Sequence, residues 1–241
     1  MYFQHSSEIW RDYPELVPGV IFADGIHKDV SIDPLVAKFT RIAEERLATG
    51  PEAEFPEIQA WRRAFSRMGL KPTQYRSASE SLLRRFRKEG ALPRIHPLID
   101  LCNSISLAFA IPVAVLDIAR ITEGVDVRYG FGSETYLTFA GETEHPAAHE
   151  VIFADGAGQA HARRWTNRQS AHSALRDTTT AVLIVAEAMH ESASMDVERL
   201  VAAIVHELNV AWLITSKTAI LSQSSPRFEF FQSGAAIAVP T

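Results

Sequence analysis

The stretch from residue 98 to residue 117, LIDLCNSISLAFAIPVAVLD, constrains the fold more than any other part of this sequence. Its longest apolar run, 105–116, is interrupted by Pro112. A membrane-spanning helix needs about twenty apolar residues, and this run is much shorter. We therefore expect the stretch to lie in the core of a folded domain, with no membrane association.

Four polar side chains interrupt this apolar stretch at fixed places. Asp100, Asn103 and Ser106 are spaced three apart, so on a helix they share one face, and Asp117 closes the stretch. A buried polar group without a partner costs about 1–3 kcal/mol, so we expect Asp100 and Asn103 to be largely buried and hydrogen-bonded. Two interpretations stay open, because the stripe could bond to neighbouring backbone or line a pocket for a polar ligand.

The composition is that of an ordinary globular protein, with 241 residues, 46% hydrophobic residues and a net charge of −5. Cys102 is the only cysteine, which excludes an internal disulfide and favours a cytoplasmic location. The first five residues, MYFQH, look like the remnant of a cleavable tag and are given no weight. We expect a single domain over residues 1–241, with its core at about 15–215.

Positive charge is concentrated in one segment. Residues 61–94 contain ten lysines and arginines, opposed only by Glu80 and Glu89. Such asymmetry is typical of a surface that faces an anion, although a solvated helix face has the same composition. The candidate residues for nucleic-acid binding are Arg76, Arg84, Arg85 and Lys88.

The order of hydrophobic patterns predicts an α+β fold in which helices are followed by a largely antiparallel sheet. Ser77 and Glu80 form a capping box, and Gly90 stops the helix that they begin. Asp33, one residue before a proline, is predicted to cap an earlier helix. The helices are expected at 33–49, 57–68, 77–90, 97–109 and 197–214. The strands are expected at 17–23, 112–117, 125–129, 135–139, 150–154, 161–165, 182–187 and 218–221.

A series of ordered motifs covers roughly residues 15–215. The pattern is K-P, R-x-S-x-E, a basic helix, L-P-x-I, D-x-x-N and P-x-x-x-x-D, followed by EVIFAD at 150–155 and RRWTNR at 163–168. The matching residues are Lys71, Pro72, Arg76, Glu80, Leu92, Pro93, Ile95, Asp100, Asn103, Pro112, Asp117, Gly124 and Arg128. This set resembles the B3/B4 domain of the phenylalanyl-tRNA synthetase β-chain, and more closely the free-standing relatives of that domain.

The resemblance implies an α+β fold with a pocket between helices and sheet, and an editing function. In the synthetase this domain hydrolyses the ester that joins tRNA to a wrongly attached amino acid, chiefly tyrosine. Here Ala114 stands where the synthetase has a histidine, and Val185 stands where a glutamate recognises the tyrosine hydroxyl. Glu187 follows on the same strand face, and Asn167 replaces the second tryptophan of the free-standing relatives. We therefore expect an amino acid other than tyrosine to be preferred.

The predicted site is a pocket between the fourth helix and the sheet, lined by Asn103, Ala114, Trp165, Arg168 and Glu187. It should be large enough for an aminoacyl group. No G-x-S-x-G or H-E-x-x-H motif is present, so we expect no metal and no cofactor, and water attacks the ester directly. The function expected is a free-standing editing hydrolase with tRNA as partner. A non-catalytic binder of tRNA or of an amino acid, and a small-molecule enzyme on the same scaffold, remain the alternatives.

Overall fold

The computed structural model describes residues 1–230 and contains six helices and twelve strands in that range. The helices are α1 Ser7–Asp12, α2 Asp33–Thr49, α3 Pro56–Arg67, α4 Ala78–Glu89, α5 Pro97–Phe109 and α6 Ala193–Trp212. The strands are β1 Tyr2–His5, β2 Val17–Asp24, β3 Val113–Asp117, β4 Gly124–Tyr129, β5 Tyr136–Leu137, β6 Thr143–Glu144, β7 Val151–Asp155, β8 Ala160–Arg163, β9 Arg168–Gln169, β10 Ala181–Ala188, β11 Lys217–Ile220 and β12 Arg227–Glu229.

Two sheets form the centre of the fold. The larger sheet has six strands in the order β12-β1-β4-β7-β8-β9, and the smaller has four in the order β11-β2-β10-β3. Every pair in these sheets is antiparallel except β1 with β4. The α+β class and the largely antiparallel sheet are therefore confirmed.

The layers of the fold follow from which side chains each sheet buries. Phe3 and Phe153 of the larger sheet pack with Val20 and Leu183 of the smaller sheet in one apolar cluster. A second cluster fills the space between the smaller sheet and helices α2, α5 and α6. The close approach of α6 depends on Gly19, because a Cβ there would lie 2.6 Å from a methyl of Val201.

The first strand corrects one expectation from the sequence. Residues 2–5 are not a disposable tag: they form β1 inside the larger sheet, between β4 and β12. Phe3 is fully buried, and His5 is 3% exposed. The expected core of about 15–215 thus leaves out two strands, β1 and β12, that lie side by side in this sheet.

The helix boundaries follow the local signals closely. Ser77 Oγ accepts a hydrogen bond from Glu80 N, and Gly90 adopts a φ of 74°, as a capping box and a glycine stop predict for α4. Asp33 differs from its expected role, because it is the first residue of α2, and the preceding Ile32 gives no side-chain cap. The proline at position 34 already fixes the first turn, so the helix begins without one.

The polar residues of the stretch 98–117 differ in their burial and in their hydrogen-bond partners. Ser106 is fully buried and donates to Ile111 O at 2.6 Å, which joins the end of α5 to the start of β3. Asp117 accepts from Thr179 Oγ1 at 2.7 Å and from Ala119 N at 3.0 Å. The side chain of Asp100 is 9% exposed and accepts from Ile95 N at 2.9 Å, so the expected burial and hydrogen bonding of Asp100 are confirmed, whereas Asn103 is half-buried. Ser106 and Asp117 are therefore fold devices that satisfy neighbouring groups.

Candidate functional site

A small cavity, here called the central cavity, lies between the smaller sheet and the β8–β9 hairpin of the larger sheet. Its volume is about 60 Å³. It is lined by Ala78, Pro112, Val113, Ala114, Phe153, Ala162, Trp165, Thr166, Asn167, Arg168, Gln169, Val185 and Glu187. Four of the five predicted pocket residues are thus brought together, namely Ala114, Trp165, Arg168 and Glu187.

The position of this cavity corrects the predicted one. We expected the pocket between α5 and the sheet, but apolar side chains such as Ile105, Val115 and Ile184 fill that space. Asn103 lines a different cavity and does not reach the central one. Helical spacing placed Asn103 on a face of α5 correctly, but it could not show which neighbour that face would meet.

Glu187 is the buried charge of the central cavity. Glu187 is only 2% exposed to solvent. Oε1 accepts hydrogen bonds from Trp165 Nε1 at 3.0 Å and lies 2.6 Å from His5 Nε2. Oε2 makes no hydrogen bond within residues 1–230. The second oxygen is therefore free to accept a hydrogen bond at the cavity wall.

His5 is the site residue that sequence reasoning missed. It is 182 positions from Glu187 in the chain, so no local motif connects the two. Its Nδ1 is buried without a hydrogen-bond partner in the described part of the chain. The imidazole therefore orients a single group, the carboxylate of Glu187. Phe3 and His5 alternate with less buried residues along β1, and this two-residue period is the one signal that could have drawn attention to His5.

Trp165 is a structural element of the cavity wall, with its ring fully buried. It packs edge-to-face against Trp61 at 5.2 Å and against Tyr13 at 4.8 Å. Its indole N–H is committed to Glu187, so the ring does not offer a free face for stacking on a base. Trp165 instead holds the carboxylate in place together with His5, since both contact Oε1 of Glu187.

The turn that carries Trp165 is strained. Arg164 and Trp165 have φ values of 47° and 56°, a left-handed conformation that is costly for residues with a Cβ. Glu150 stabilises the turn by accepting from Arg164 N at 2.9 Å and from Arg163 at 2.9 Å through each of its two oxygens. Burial alone would raise the pKa of Glu150, but the hydrogen bonds from Arg163 hold it below its usual value. Such strain is characteristic of functional sites.

The mouth of the central cavity carries polar and basic groups. Arg168 is exposed and lies 3.3 Å from Glu144. Asn167 donates to Arg76 O at 2.8 Å, which brings the start of α4 to the rim. Thr166 also lines the cavity, and its Oγ1 is buried without a hydrogen-bond partner among the described residues.

A second and larger cavity, here called the outer cavity, lies among α2, α4 and α5. Its volume is about 250 Å³, and Asn103 lines it together with Asp33, Arg94 and Asp100. Arg94 lies 2.5 Å from Asp33 and 3.7 Å from Asp100, so one guanidinium faces two carboxylates, and Glu44 adds a third carboxylate to the lining. Asn103 is half-buried, and its side chain makes no hydrogen bond within residues 1–230.

The basic segment is less free than its sequence indicates. Arg84 and Arg87 both pair with the buried Glu52, Arg85 pairs with Glu89, and Arg76 lies 3.4 Å from Glu80. Among the ten basic residues, three have no ion-pair or hydrogen-bond partner in the described range: Arg63, Lys71 and Lys88. Partners such as Glu52 lie outside the segment, so a local charge count could not include them.

The chemistry open to this site is that of a carboxylate and water. Burial raises the pKa of the Cys102 thiol to about 12, so Cys102 is not a thiolate at neutral pH. Within residues 1–230, no three His, Cys, Asp or Glu side chains are grouped as metal ligands. In the same range, no helix combines the length and the apolar character needed to cross a membrane.

The family model of the B3/4 domain matches residues 60–204 of this chain, which includes every lining residue of the central cavity. The chain therefore belongs to the B3/4 domain family, as its motifs predicted. His5, which contacts Glu187, lies outside the matched segment.

Two known proteins are similar to parts of this chain. The phenylalanine–tRNA ligase beta subunit of Coxiella burnetii (strain RSA 493 / Nine Mile phase I) is 37% identical over 60 residues, which are 25% of this chain and 7% of that protein. An N-terminal fragment of the phenylalanyl-tRNA synthetase beta-subunit from Pyrococcus horikoshii superimposes with a TM-score of 0.46 and 9% identity, over 89% of this chain and 49% of the fragment. This chain thus spans only a small part of the first and about half of the second.

Proposed function

We propose that this chain is a free-standing editing hydrolase that cleaves the ester bond of mischarged aminoacyl-tRNA. The observation that carries the proposal is Glu187, a buried carboxylate with two partners on Oε1 and a free Oε2 at a cavity wall. The family supports tRNA as the carrier of the substrate, since the similar Coxiella protein is by name a phenylalanine–tRNA ligase subunit.

The proposed reaction begins with a water molecule between Glu187 Oε2 and the ester carbonyl. Glu187 takes a proton from this water while the oxygen of the water forms a bond to the carbonyl carbon. The Thr166 hydroxyl, which has no other partner in the described structure, donates to the developing oxyanion. The bond from the carbonyl carbon to the ribose oxygen then breaks, and Glu187 returns the proton to that oxygen. The products are free amino acid and uncharged tRNA.

The size of the central cavity favours a small amino acid. A cavity needs at least about 10–15 Å³ to hold a single water molecule, so about 60 Å³ has room for only a few water-sized groups. A tyrosine side chain is larger than this. Ala114, Ala162 and Val185 make the wall apolar, so a small side chain with few polar atoms fits it best.

The basic segment is proposed to hold the RNA backbone outside the cavity. Arg76 is the best placed of the four candidates, because it touches the rim through Asn167. Lys88 has no ion-pair partner in the described structure. Arg84 and Arg85 already pair with glutamates, which would compete with an RNA phosphate for them. We place this activity in the cytoplasm, in keeping with the free, buried Cys102.

One observation favours the alternative of a non-catalytic binder of tRNA or of an amino acid. The wall of the central cavity contains no serine, cysteine, histidine or lysine, so Glu187 is the only ionisable group there besides Arg168. Binding would then use the carboxylate as an anchor for the α-ammonium group. A small-molecule enzyme on this scaffold is distinguished by the absence of tRNA binding.

The deciding experiment incubates the protein with a panel of mischarged tRNAs that carry alanine, serine, valine or tyrosine, and follows release of the amino acid. We expect a small amino acid to be released fastest, and Glu187→Gln to lower kcat by about a hundredfold or more, because the general base is lost. The matched control is Glu207→Gln, since Glu207 is equally buried but pairs with Lys38 away from the cavity.

Three results would contradict the proposal in different ways. No release from any tRNA, combined with tight binding, would support the non-catalytic binder. Neither release nor binding would favour the small-molecule enzyme. Fastest release of tyrosine would keep the hydrolase and overturn the substrate class.

A further inference from the structure

A shallow groove lies directly beside the central cavity, and we propose that it binds the terminal nucleoside of the RNA. The inference rests on the proposed function, because it assigns a place to the nucleoside whose ester the central cavity would receive. The groove, here called the lateral groove, has a volume of about 370 Å³. Arg168 and Gln169 line both spaces, which places the groove next to the cavity.

The first observation is an aromatic ring presented to solvent. Phe139 lines the lateral groove and is 74% exposed. The flat face of such a ring stacks on any nucleobase without reading its sequence. An exposed ring beside the cavity therefore suits the base at the end of a single strand.

The second observation is that the loop carrying Phe139 is held firmly. Thr138 N donates to Glu142 O at 2.8 Å, Gly141 N to Thr138 O at 3.0 Å, and Glu142 N to Thr138 Oγ1 at 3.1 Å. Leu137 O accepts from Ala171 N at 2.9 Å and from Ser170 Oγ at 3.0 Å, which joins the loop to the segment after β9. The ring is thus displayed by an ordered loop, so a base that stacks on it needs little rearrangement.

The third observation is the charge of the groove. Arg168 is paired with Glu144, and both lie beside the Tyr136 ring that forms the floor. Glu142 is exposed, and its carboxylate has no hydrogen-bond or ion-pair partner within residues 1–230. A free carboxylate repels phosphate but accepts a hydrogen bond from a ribose hydroxyl, as acidic residues do in dinucleotide sites. The groove therefore suits a neutral nucleoside, whose ribose keeps one free hydroxyl in the ester and both after hydrolysis.

The test measures binding of an uncharged RNA hairpin that ends in a single-stranded C-C-A, by titration with the full chain. Phe139→Ala should raise Kd by about fivefold or more, because the stacked base loses its partner. Phe131→Ala is the matched control, since Phe131 is also 74% exposed but lines neither space, and it should leave Kd unchanged. Thermal unfolding of both variants confirms that each is folded.

Two further arms identify what the groove contacts. Glu142→Gln should weaken binding of the hairpin. The same substitution should not change the binding of a hairpin that ends in 2′,3′-dideoxyadenosine. Adenosine triphosphate alone should bind more weakly than the hairpin, because its phosphates meet the free carboxylate. Tighter binding of the nucleotide than of the hairpin would assign the groove to a free nucleotide and overturn the RNA end.

The failure of this inference is separable from the failure of the proposed function. Wild-type Kd in Phe139→Ala, or no binding of the hairpin by the wild-type protein, overturns the lateral groove even if mischarged tRNA is hydrolysed. Loss of binding in Phe139→Ala but not in Phe131→Ala supports the groove even if no ester is cleaved.

Discussion

The central and outer cavities lie near opposite ends of α4 and differ in almost every respect. Ala78 at the start of α4 lines the central cavity, and Phe86 near its end lines the outer one. The outer cavity is about four times larger, at about 250 Å³ against about 60 Å³, and its lining holds three carboxylates, Asp33, Glu44 and Asp100, with Arg94 between two of them. The central cavity contains a buried hydroxyl, Thr166 Oγ1, without a hydrogen-bond partner in the described structure. Buried unpaired polarity, rather than volume, is therefore the reason for proposing the central cavity as the site.

The largest difference between the cavities should appear in stability. His5→Ala removes one of the two partners of Glu187 Oε1 and leaves a buried charge poorly compensated, so the free energy of unfolding should fall by about 3 kcal/mol. His5→Gln keeps a donor and should lose less. Urea denaturation measures both, with Asp100→Asn in the outer cavity as a control that changes little. A His5→Ala protein as stable as the wild type would show that His5 does not support Glu187.

A second comparison fills each cavity with the same added side chain. Ala114 lines the central cavity and Ala37 lines the outer one. Ala114→Leu should lower kcat/KM for mischarged tRNA by roughly tenfold or more, because the extra atoms occupy the space for the aminoacyl side chain. Ala37→Leu should leave kcat/KM unchanged. Steady-state deacylation measures both, and the reverse pattern would move the site to the outer cavity.

The smallest expected effect concerns the stripe of α5. Asn103 has no hydrogen bond to lose in the described structure, so Asn103→Ala should change the free energy of unfolding by less than about 0.5 kcal/mol. Ser106→Ala removes a buried hydrogen bond of 2.6 Å to Ile111 O and should cost about 1 kcal/mol. Thermal unfolding distinguishes the two. Equal losses in both variants would mean that Asn103 is structural after all.

The parts of the fold that could be predicted are those whose signals are local. The capping box at Ser77 and the glycine stop at Gly90 determine the ends of α4 by contacts within a few residues. The end of α5 and the start of β3 follow from Pro112 in the same way. The motifs near residues 114, 165, 168 and 187 likewise indicated a shared cavity, although not between which layers.

The rest depended on contacts between distant segments. β1 has only four residues, and its role becomes visible only when β4 and β12 lie on either side of it. The pairing of Arg84 with Glu52 depends on how α4 packs against the turn after α2, which no charge count reveals. The side of α5 that Asn103 faces depends on the packing of α2 and α4 in the same way.

The arrangement of β1 has a consequence for how the proposed site is completed during synthesis. Both neighbours of β1 come from later in the chain, β4 near residue 124 and β12 near residue 229. Glu187, which is oriented by His5 at the end of β1, lies on β10. A nascent chain therefore carries its first strand unpaired while more than a hundred residues are translated, and such long-range pairing is slow to form. Ribosome-bound chains ending before β10 should accordingly be inactive, however much of the helical layer has already folded.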